Sequence, residues 1–287
     1  MPALRAGITA LGLLAGAALP ALAEDAPRRV VSMNLCTDQL AMLLADEGQL
    51  ISVSDLARDP RSSAMVAEAA AYPVNNGLAE EIYLMQPDLV LAGRYSQLAT
   101  VDMLRRLGIR VEQFDPATSL DQVTERMTRM GALLGRADIA ADQVARFDQR
   151  LASFRDGIAP RPRAALYFAN GYTSGDQTLA GDILTAAGLI NIAAELGLVS
   201  GGVIPLETLA MAVPDTVVTG QPYPGASRSE EILSHPVVGA LKAARPSTSM
   251  NAQDWLCGTP YVLRAVDQMA GLRREVQADR ERQQARK

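Results

Sequence analysis

The chain carries one acidic segment twice, and this repeat is its clearest candidate for a functional feature. In the first copy, Glu80 is followed seven residues later by Pro87-Asp88 and then by an apolar run. In the second copy, Glu207 is followed at the same spacing by Pro214-Asp215 and a similar apolar run. Proline disfavours helical geometry in the residue before it, so each copy predicts a short helix and then a buried strand. A glutamate displayed at the same place on two similar units is more typical of a docking surface than of catalysis. The alternative role is simply to favour a helix N-terminus.

The residue types that most catalytic and metal sites need are scarce. The chain has a single histidine, His235, whose His-Pro-Val-Val context predicts a turn, and one histidine excludes a His-rich transition-metal site. It has no phosphate-binding glycine loop, no Gly-x-Ser-x-Gly segment and no dinucleotide fingerprint. The sequence therefore predicts a binding protein and not an enzyme.

The elements that must position the functional residues alternate between strands and helices. Because segments with helical periodicity alternate with short apolar segments that predict strands, we expect an α/β fold with mostly parallel sheets covered by helices on both faces. The predicted strands are residues 29–33, 50–53, 89–91, 108–114, 164–168 and 216–218.

A proline-free segment, residues 138–159, separates the two halves of the chain, and its apolar residues recur at helical spacing. It predicts one helix, about 30 Å long, that bridges the halves. The expected organisation is an N-terminal lobe (24–137), the bridging helix (138–159), a C-terminal lobe (160–272) and a charged tail (273–287).

The first 23 residues have the pattern of a secretory signal peptide. Arg5 precedes an apolar stretch, and Ala21-Leu22-Ala23 forms a small-residue cleavage site. The apolar stretch is shorter than the roughly 20 residues that a transmembrane anchor needs. We therefore expect cleavage near Ala23 and export to the periplasm. The net charge of −5 argues against nucleic acid or an anionic membrane surface as a partner.

Further motifs accompany the two glutamate segments in a fixed order. They are Ser32-Met33-Asn34-Leu35 after the first strand, Ala187-Gly188-Leu189-Ile190-Asn191, His235-Pro236, and Trp255 with Gly258 and Pro260 before the last helix. This order resembles the periplasmic substrate-binding proteins of ABC importers for ferric siderophores, haem and cobalamin. The resemblance covers nearly all of the chain after the signal peptide.

The resemblance implies two α/β lobes, one long bridging helix and a ligand cleft between the lobes. In that family, one glutamate on each lobe pairs with arginines of the permease. By motif position these glutamates are Glu80 and Glu207, and Glu81 is a neighbour that could replace Glu80.

The expected ligand residues lie in loops that leave the carboxyl ends of parallel strands, where α/β sheets bind ligands. Tyrosine and tryptophan suit a large, partly apolar ligand, and arginine could pair with acidic groups on it. For each residue, a solvated loop side chain is the alternative. The candidates in these loops are Asn34, Asp55, Arg58, Arg94, Tyr95, Tyr172 and Tyr223, and Trp255 joins them from the loop before the last helix.

The two cysteines, Cys36 and Cys257, form an even pair, which in an exported protein is usually a disulfide. The resemblance places both beside the cleft, on different lobes, so that a bond would tie the lobes together. The alternative is two free thiols that face the cleft, with Cys36 activated by a helix N-terminus and open to a soft metal.

The resemblance implies a receptor that delivers a metal chelate, a ferric siderophore or a cobalamin-type compound, to the permease dimer of an inner-membrane ABC importer. We expect a monomer without a cofactor of its own that closes only slightly on binding. The single tryptophan weakens the case for a corrin, and we rank haem below a ferric chelate. The alternatives are a chelatase-like bilobal enzyme acting on a metal-tetrapyrrole, and a haem-binding receptor.

Overall fold

The computed structural model describes residues 26–154, 160–225 and 227–286. The predicted signal peptide lies outside the described residues, as does the end of the predicted bridging helix, residues 155–159. Within the described part of the chain, no helix is both long enough and apolar enough to cross a membrane.

The N-terminal lobe is built on a parallel sheet. Within residues 26–154 its strands are β1 (Val30–Ser32), β2 (Leu50–Ser54), β3 (Val74–Asn75), β4 (Leu89–Gly93) and β5 (Val111–Phe114). Their order is β3-β2-β1-β4-β5, so the chain adds β2 and β3 on one side of β1 and then β4 and β5 on the other side. The order of the strands therefore switches at β1. Ligands of such sheets bind outside the carboxyl ends of the strands at this switch point. The helices of the lobe are α1 (Leu35–Leu44), α2 (Val66–Ala69), α3 (Ala79–Leu84), α4 (Leu98–Arg106), α5 (Leu120–Leu134) and α6 (Ala137–Ala152).

The C-terminal lobe repeats this plan with a smaller sheet. Its strands within the described residues are β6 (Arg163–Tyr167), β7 (Tyr172–Thr173), β8 (Ile190–Asn191), β9 (Gly202–Val203), β10 (Thr216–Gly220) and β11 (Thr248–Met250). The main sheet is parallel in the order β11-β10-β6-β8, and β7 and β9 form a separate antiparallel pair. The helices are α7 (Leu179–Ala186), α8 (Ile192–Glu195), α9 (Leu206–Ala212), α10 (Pro236–Ala244) and α11 (Val262–Ala285).

A continuous hydrophobic core joins the two lobes. It includes Leu40 and Met127 from helices of the first lobe, Ile183 and Met269 from helices of the second, and Phe147 of α6, all buried. Smaller clusters cover the outer face of each sheet, beneath α3 and α4 in the first lobe and beneath α9 and α10 in the second. Because close-packed interiors resist deformation, this shared core holds the lobes as one body.

Two predicted boundaries differ from the structure. The bridging helix was expected to continue to residue 159, but α6 ends at Ala152 and the next two residues form a turn. The last helix was expected to end at Leu272, with a charged tail that is frayed or a solvated helix end, and α11 continues through this tail to Ala285. This extension is stabilised because Val276 is buried and Arg280 forms an ion pair with Asp215.

Candidate functional site

A pocket of about 280 Å³ lies where the strands of the C-terminal lobe end. Phe168 follows β6, Gly220 ends β10 and Met250 ends β11, so three neighbouring parallel strands deliver residues to one edge. Arg61 reaches the same space from the N-terminal lobe. The pocket therefore lies in the cleft between the lobes, where doubly wound sheets bind ligands.

Aromatic side chains form the wall of the pocket. The rings of Phe168 and Trp255 stack with their centroids 5.4 Å apart and an interplanar angle of 14°. Tyr172 and Tyr223 also line the pocket. Among the described residues, the indole Nε1 of Trp255 is buried without a hydrogen-bond partner, so it remains a donor for a bound group or a water molecule. The wall offers flat apolar faces together with polar tips.

Arg61 connects the two lobes across the pocket. Its Nη2 donates a hydrogen bond to the carbonyl oxygen of Pro222 at 3.0 Å, and its guanidinium carbon lies 3.9 Å from the centroid of the Tyr223 ring. Asp59 holds the loop by accepting from the backbone N–H of Arg61 at 3.0 Å and from the hydroxyl of Ser62 at 2.5 Å. The Ser62 hydroxyl and then the Arg61 N–H lower the pKa of Asp59, because both stabilise the carboxylate.

The structure brings three of the predicted ligand residues together: Tyr172, Tyr223 and Trp255 all line the pocket. Sequence reasoning missed Phe168 and Arg61. Phe168 is the last residue of the predicted strand 164–168, and the candidate ligand residues of the loop after β2 end at Arg58, three residues before Arg61. The polar turn Asp59-Pro60-Arg61-Ser62 was the available signal, since Asp and Pro favour turns that project the next side chain.

The other predicted ligand residues do not line the pocket. Arg58 donates to the carbonyls that end α2, with its shortest bond, 2.6 Å, to Tyr72. Arg94 pairs with exposed Asp115 at 3.1 Å, and Tyr95 is 83% exposed. Their roles as ligand contacts stay predictions.

Asn34 and Asp55 both occupy positions at helix starts. Asn34 is the N-cap of α1, and its Oδ1 accepts from the backbone N–H of Cys36 at 3.1 Å. Asp55 begins a short 3-10 helix after β2. Neither side chain lines the pocket, and their roles as ligand contacts likewise stay predictions.

A buried carboxyl group lies beneath the edge of the N-terminal sheet. Asp38 of α1 accepts from the backbone N–H of Ser54 at 3.2 Å and from its hydroxyl at 2.5 Å, and the side chain has no exposed surface. Burial raises the pKa of Asp38 to about 7, although its hydrogen bonds act in the opposite direction. Nearby, the Asn75 amide donates to the carbonyls of Ser32 and Val53. Together these bonds fix the carboxyl ends of β1, β2 and β3.

A disulfide between Cys36 and Cys257 ties the lobes together beside the cleft. The sequence favoured this bond over two free thiols. It spans 221 residues and joins the start of α1 to the loop before α11. A second link between the lobes is the hydrogen bond from the backbone N–H of Leu120 to Asp182, at 2.7 Å. The cleft is therefore closed on one side by covalent and polar contacts.

The two repeated glutamates are exposed in the first turns of α3 and α9. Both helices lead directly into parallel strands, β4 and β10, so their first residues lie level with the carboxyl ends of the sheets. Glu81 accepts from the backbone N–H of Asn76 at 2.8 Å. Within the described chain, neither Glu80 nor Glu207 forms an ion pair, and both remain available for external contacts.

Within the described residues, no group of three or more His, Cys, Asp or Glu side chains could hold a metal ion. His235 is the N-cap of α10, and its Nδ1 accepts from the backbone N–H of Val237 at 3.2 Å, in agreement with the predicted turn.

A second hollow, of about 500 Å³, adjoins residues 26–28 and 46–49 at the amino ends of β1 and β2, away from the cleft loops.

The sequence matches one protein family and several curated proteins. The model of the family described as "Periplasmic binding protein" matches residues 30–247. A cobalamin-binding protein of Halobacterium salinarum is 34% identical over 203 residues, which cover 69% of this chain and 55% of that protein. The vitamin B12-binding protein of Yersinia pestis is 27% identical over 179 residues, which cover 61% of this chain and 63% of that protein. The chain thus spans less than two thirds of the length of these relatives.

The fold also has counterparts among solved structures. The periplasmic haem-binding protein RhuT of Roseiflexus sp. RS-1 superposes with a TM-score of 0.70 at 20% identity, covering 87% of this chain and 99% of that one. Identity at this level shows a shared two-lobed fold and no more. All three of these proteins are named as binding proteins.

Proposed function

The chain belongs to the periplasmic binding protein family, and on this premise we propose that it is a receptor that binds a metal chelate in the cleft and delivers it to an ABC importer. The observation that carries the proposal is the aromatic pocket between the lobes. Among metal chelates, a cobalamin-type compound ranks first, because the curated relatives are named for cobalamin and vitamin B12. Four aromatic residues line the pocket: Phe168, Tyr172, Tyr223 and Trp255. The small number of aromatic residues in the chain is therefore no longer an argument against a corrin as the ligand.

The pocket suits one part of a large ligand. Its volume of about 280 Å³ is at the lower limit of the roughly 300–1,000 Å³ that small-molecule pockets span. A corrin-sized compound would therefore place one apolar portion against Phe168 and Trp255 and extend into the open cleft. To do so it displaces the contacts of Arg61 with Pro222 and Tyr223, which frees the guanidinium to donate to amide or carboxylate oxygens of the ligand.

Delivery requires an exported protein and a surface that the importer recognises. Family membership supports location in the periplasm, and the sequence pattern of residues 1–23 supports export by a cleaved signal peptide. The exposed Glu80 and Glu207 are the proposed docking residues for basic groups on the two halves of the permease. Glu81 is engaged with Asn76, which favours Glu80 as the docking residue of the first lobe. The receptor acts as a monomer and performs no chemistry on its ligand.

The position of Trp255 allows a direct test, because it is the single tryptophan of the chain. We expect cyanocobalamin to quench its fluorescence saturably, with one molecule bound per chain. A ferric hydroxamate siderophore and haemin are titrated in parallel, and N-acetyltryptophanamide corrects for light absorbed by each ligand. Quenching by the siderophore or haemin alone would reassign the ligand. Absence of saturable binding by all three compounds would contradict the proposed function.

Substitutions test whether the ligand binds in the aromatic pocket or elsewhere in the cleft. Trp255→Ala removes half of the aromatic stack, so calorimetry should give at least about tenfold weaker binding of the compound that quenches the wild type. Tyr95→Ala is the matched control, because Tyr95 is an exposed aromatic residue outside the pocket. Equal losses in both variants would mean that the ligand occupies a wider part of the cleft than the pocket defines.

A further inference from the structure

The two glutamate helices are held by the same set of contacts in both lobes. In the first lobe, the Arg29 side chain donates to the carbonyl oxygens of Met85 at 2.6 Å and Gln86 at 3.0 Å, where α3 ends. In the second lobe, Arg163 donates to the carbonyl oxygens of Ala212 at 2.8 Å and Val213 at 3.4 Å, where α9 ends. These acceptors lie five and six residues after the repeated glutamate in each copy.

The aspartates of the two Pro-Asp pairs complete each set. Asp88 accepts from the backbone N–H of Arg29 at 3.0 Å and returns its own N–H to the Arg29 carbonyl at 3.0 Å. Asp215 accepts from the N–H of Arg163 at 2.7 Å and returns its N–H to the Arg163 carbonyl at 2.8 Å. Each aspartate thus anchors the arginine that caps the glutamate helix. The repeat seen in the sequence therefore extends back to the first strand of each lobe.

The residue before each proline has left-handed backbone geometry. Gln86 has φ of 48° and Val213 has φ of 43°. Positive φ is uncommon for residues other than glycine and is an outlier for a β-branched side chain such as valine. Such geometry persists only where the surrounding structure enforces it, and it concentrates at functional sites. It occurs at the same position of both copies, at residues whose carbonyl oxygens accept from the capping arginine, so both helices end in the same constrained geometry.

Each of these supported helices presents an apolar side chain beside its glutamate. Leu84 is 79% exposed and Met211 is 76% exposed, and each follows its glutamate by four residues. Residues four apart lie on the same helical face, so each lobe displays a carboxylate and a large apolar group side by side. A single exposed apolar residue needs no explanation. Two at equivalent positions of a rigidly held repeat form a matched pair.

We propose that Leu84 and Met211 dock, together with the two glutamates, onto a two-fold symmetric membrane protein that offers a cation and an apolar hollow on each half. This inference rests on the proposed function and deepens it, because it adds apolar anchors to the acidic ones. A second copy of this chain is disfavoured as the occupant, since a symmetric self-contact would bring the glutamates of two copies together. Arg29 and Arg163 are positioning residues for this surface.

The test uses the double variant Leu84→Ser/Met211→Ser in the full-length protein. Fluorescently labelled protein is titrated onto inner-membrane vesicles from its own cells, and ligand affinity is measured in parallel by calorimetry with cyanocobalamin. We expect at least about tenfold weaker vesicle binding, because two apolar anchors are lost, with ligand affinity within about twofold of the wild type. The matched control is Leu107→Ser/Val199→Ser, which removes one exposed apolar residue per lobe outside the two helices and should leave both properties unchanged.

The outcomes separate this inference from the proposed function. If Leu84→Ser/Met211→Ser binds vesicles like the wild type while Glu80→Lys/Glu207→Lys does not bind, the two apolar residues do not take part in docking. The proposed receptor function would remain intact. If the wild-type protein binds cyanocobalamin but does not bind the vesicles, the proposal of a docking surface on α3 and α9 would be overturned as a whole. Self-association of the wild type that the serine variant abolishes would assign the surface to a second copy. Wild-type protein that binds no chelate contradicts the proposed function instead.

Discussion

The buried Asp38 makes the stability of the N-terminal lobe depend on pH in an unusual direction. Its side chain has no exposed surface, and burial raises its pKa from the ordinary 3.8 to about 7. The folded state therefore holds the proton more tightly than the unfolded state. The resulting stabilisation is complete below pH 3.8 and is lost as the pH rises through about 7.

The magnitude follows from the two pKa values. One pKa unit corresponds to about 1.4 kcal/mol, and proton linkage between 3.8 and about 7 removes roughly 2–3 kcal/mol of unfolding free energy between pH 5 and pH 8. Asp38→Asn has the same shape without a charge at any pH. Its amide oxygen can still accept from the backbone N–H of Ser54. The variant should therefore lack this part of the pH dependence.

Urea unfolding followed by the fluorescence of Trp255 measures the effect. We expect the unfolding free energy of Asp38→Asn, relative to the wild type, to rise by roughly 2–3 kcal/mol from pH 5 to pH 8. Comparing two proteins at each pH cancels the titration of groups that they share. Asp102→Asn, which changes an exposed carboxylate on α4 away from Asp38, is the control and should show a far smaller difference. The same free-energy difference for Asp38→Asn at both pH values would refute the reasoning.

Three further predictions address the frame around the cleft. Replacing Cys36 and Cys257 by serine frees a loop of 221 residues and should lower the unfolding free energy by about 5 kcal/mol in urea titrations; a loss below about 1 kcal/mol would show that the bond contributes little. Val213→Asn should raise the unfolding free energy by about 1 kcal/mol, because asparagine tolerates left-handed geometry better than valine, and any destabilisation would count against backbone strain there. Because the lobes share one core, X-ray scattering with and without ligand should give radii of gyration within about 1 Å of each other, and a larger change would contradict a rigid frame.

Much of the fold could be predicted from local sequence patterns. The strands around Val31, Val90, Leu166 and Val217 are apolar runs, and each is buried in the centre of a sheet. Strands of two residues, such as Val74–Asn75, leave no pattern of their own and depend on pairing with a neighbour. Periodicity likewise cannot fix where a helix ends when tertiary contacts continue beyond its apolar pattern, as those of Val276 and Arg280 do in α11.

The candidate site was only partly predictable for a similar reason. Tyr172, Tyr223 and Trp255 could be proposed because rare aromatic residues in loops stand out in this composition. The partners that define the pocket are distant in sequence: Arg61 meets Pro222 across 161 residues, and Phe168 stacks on Trp255. Arg58, three residues before Arg61, has the residue type and loop position predicted for a ligand contact, and its guanidinium donates to the carbonyl of Tyr72 after α2. The sequence alone does not show the different surroundings of these two arginines.

The proposed function requires that this protein carry a metal chelate without altering it. Native mass spectrometry of protein recovered from its own cells tests this requirement. We predict one chelate molecule per chain, released on denaturation with the same mass as the compound supplied to the cells. A ligand whose mass shows covalent change, turnover of an added chelate, or protein that never carries a chelate would contradict the account.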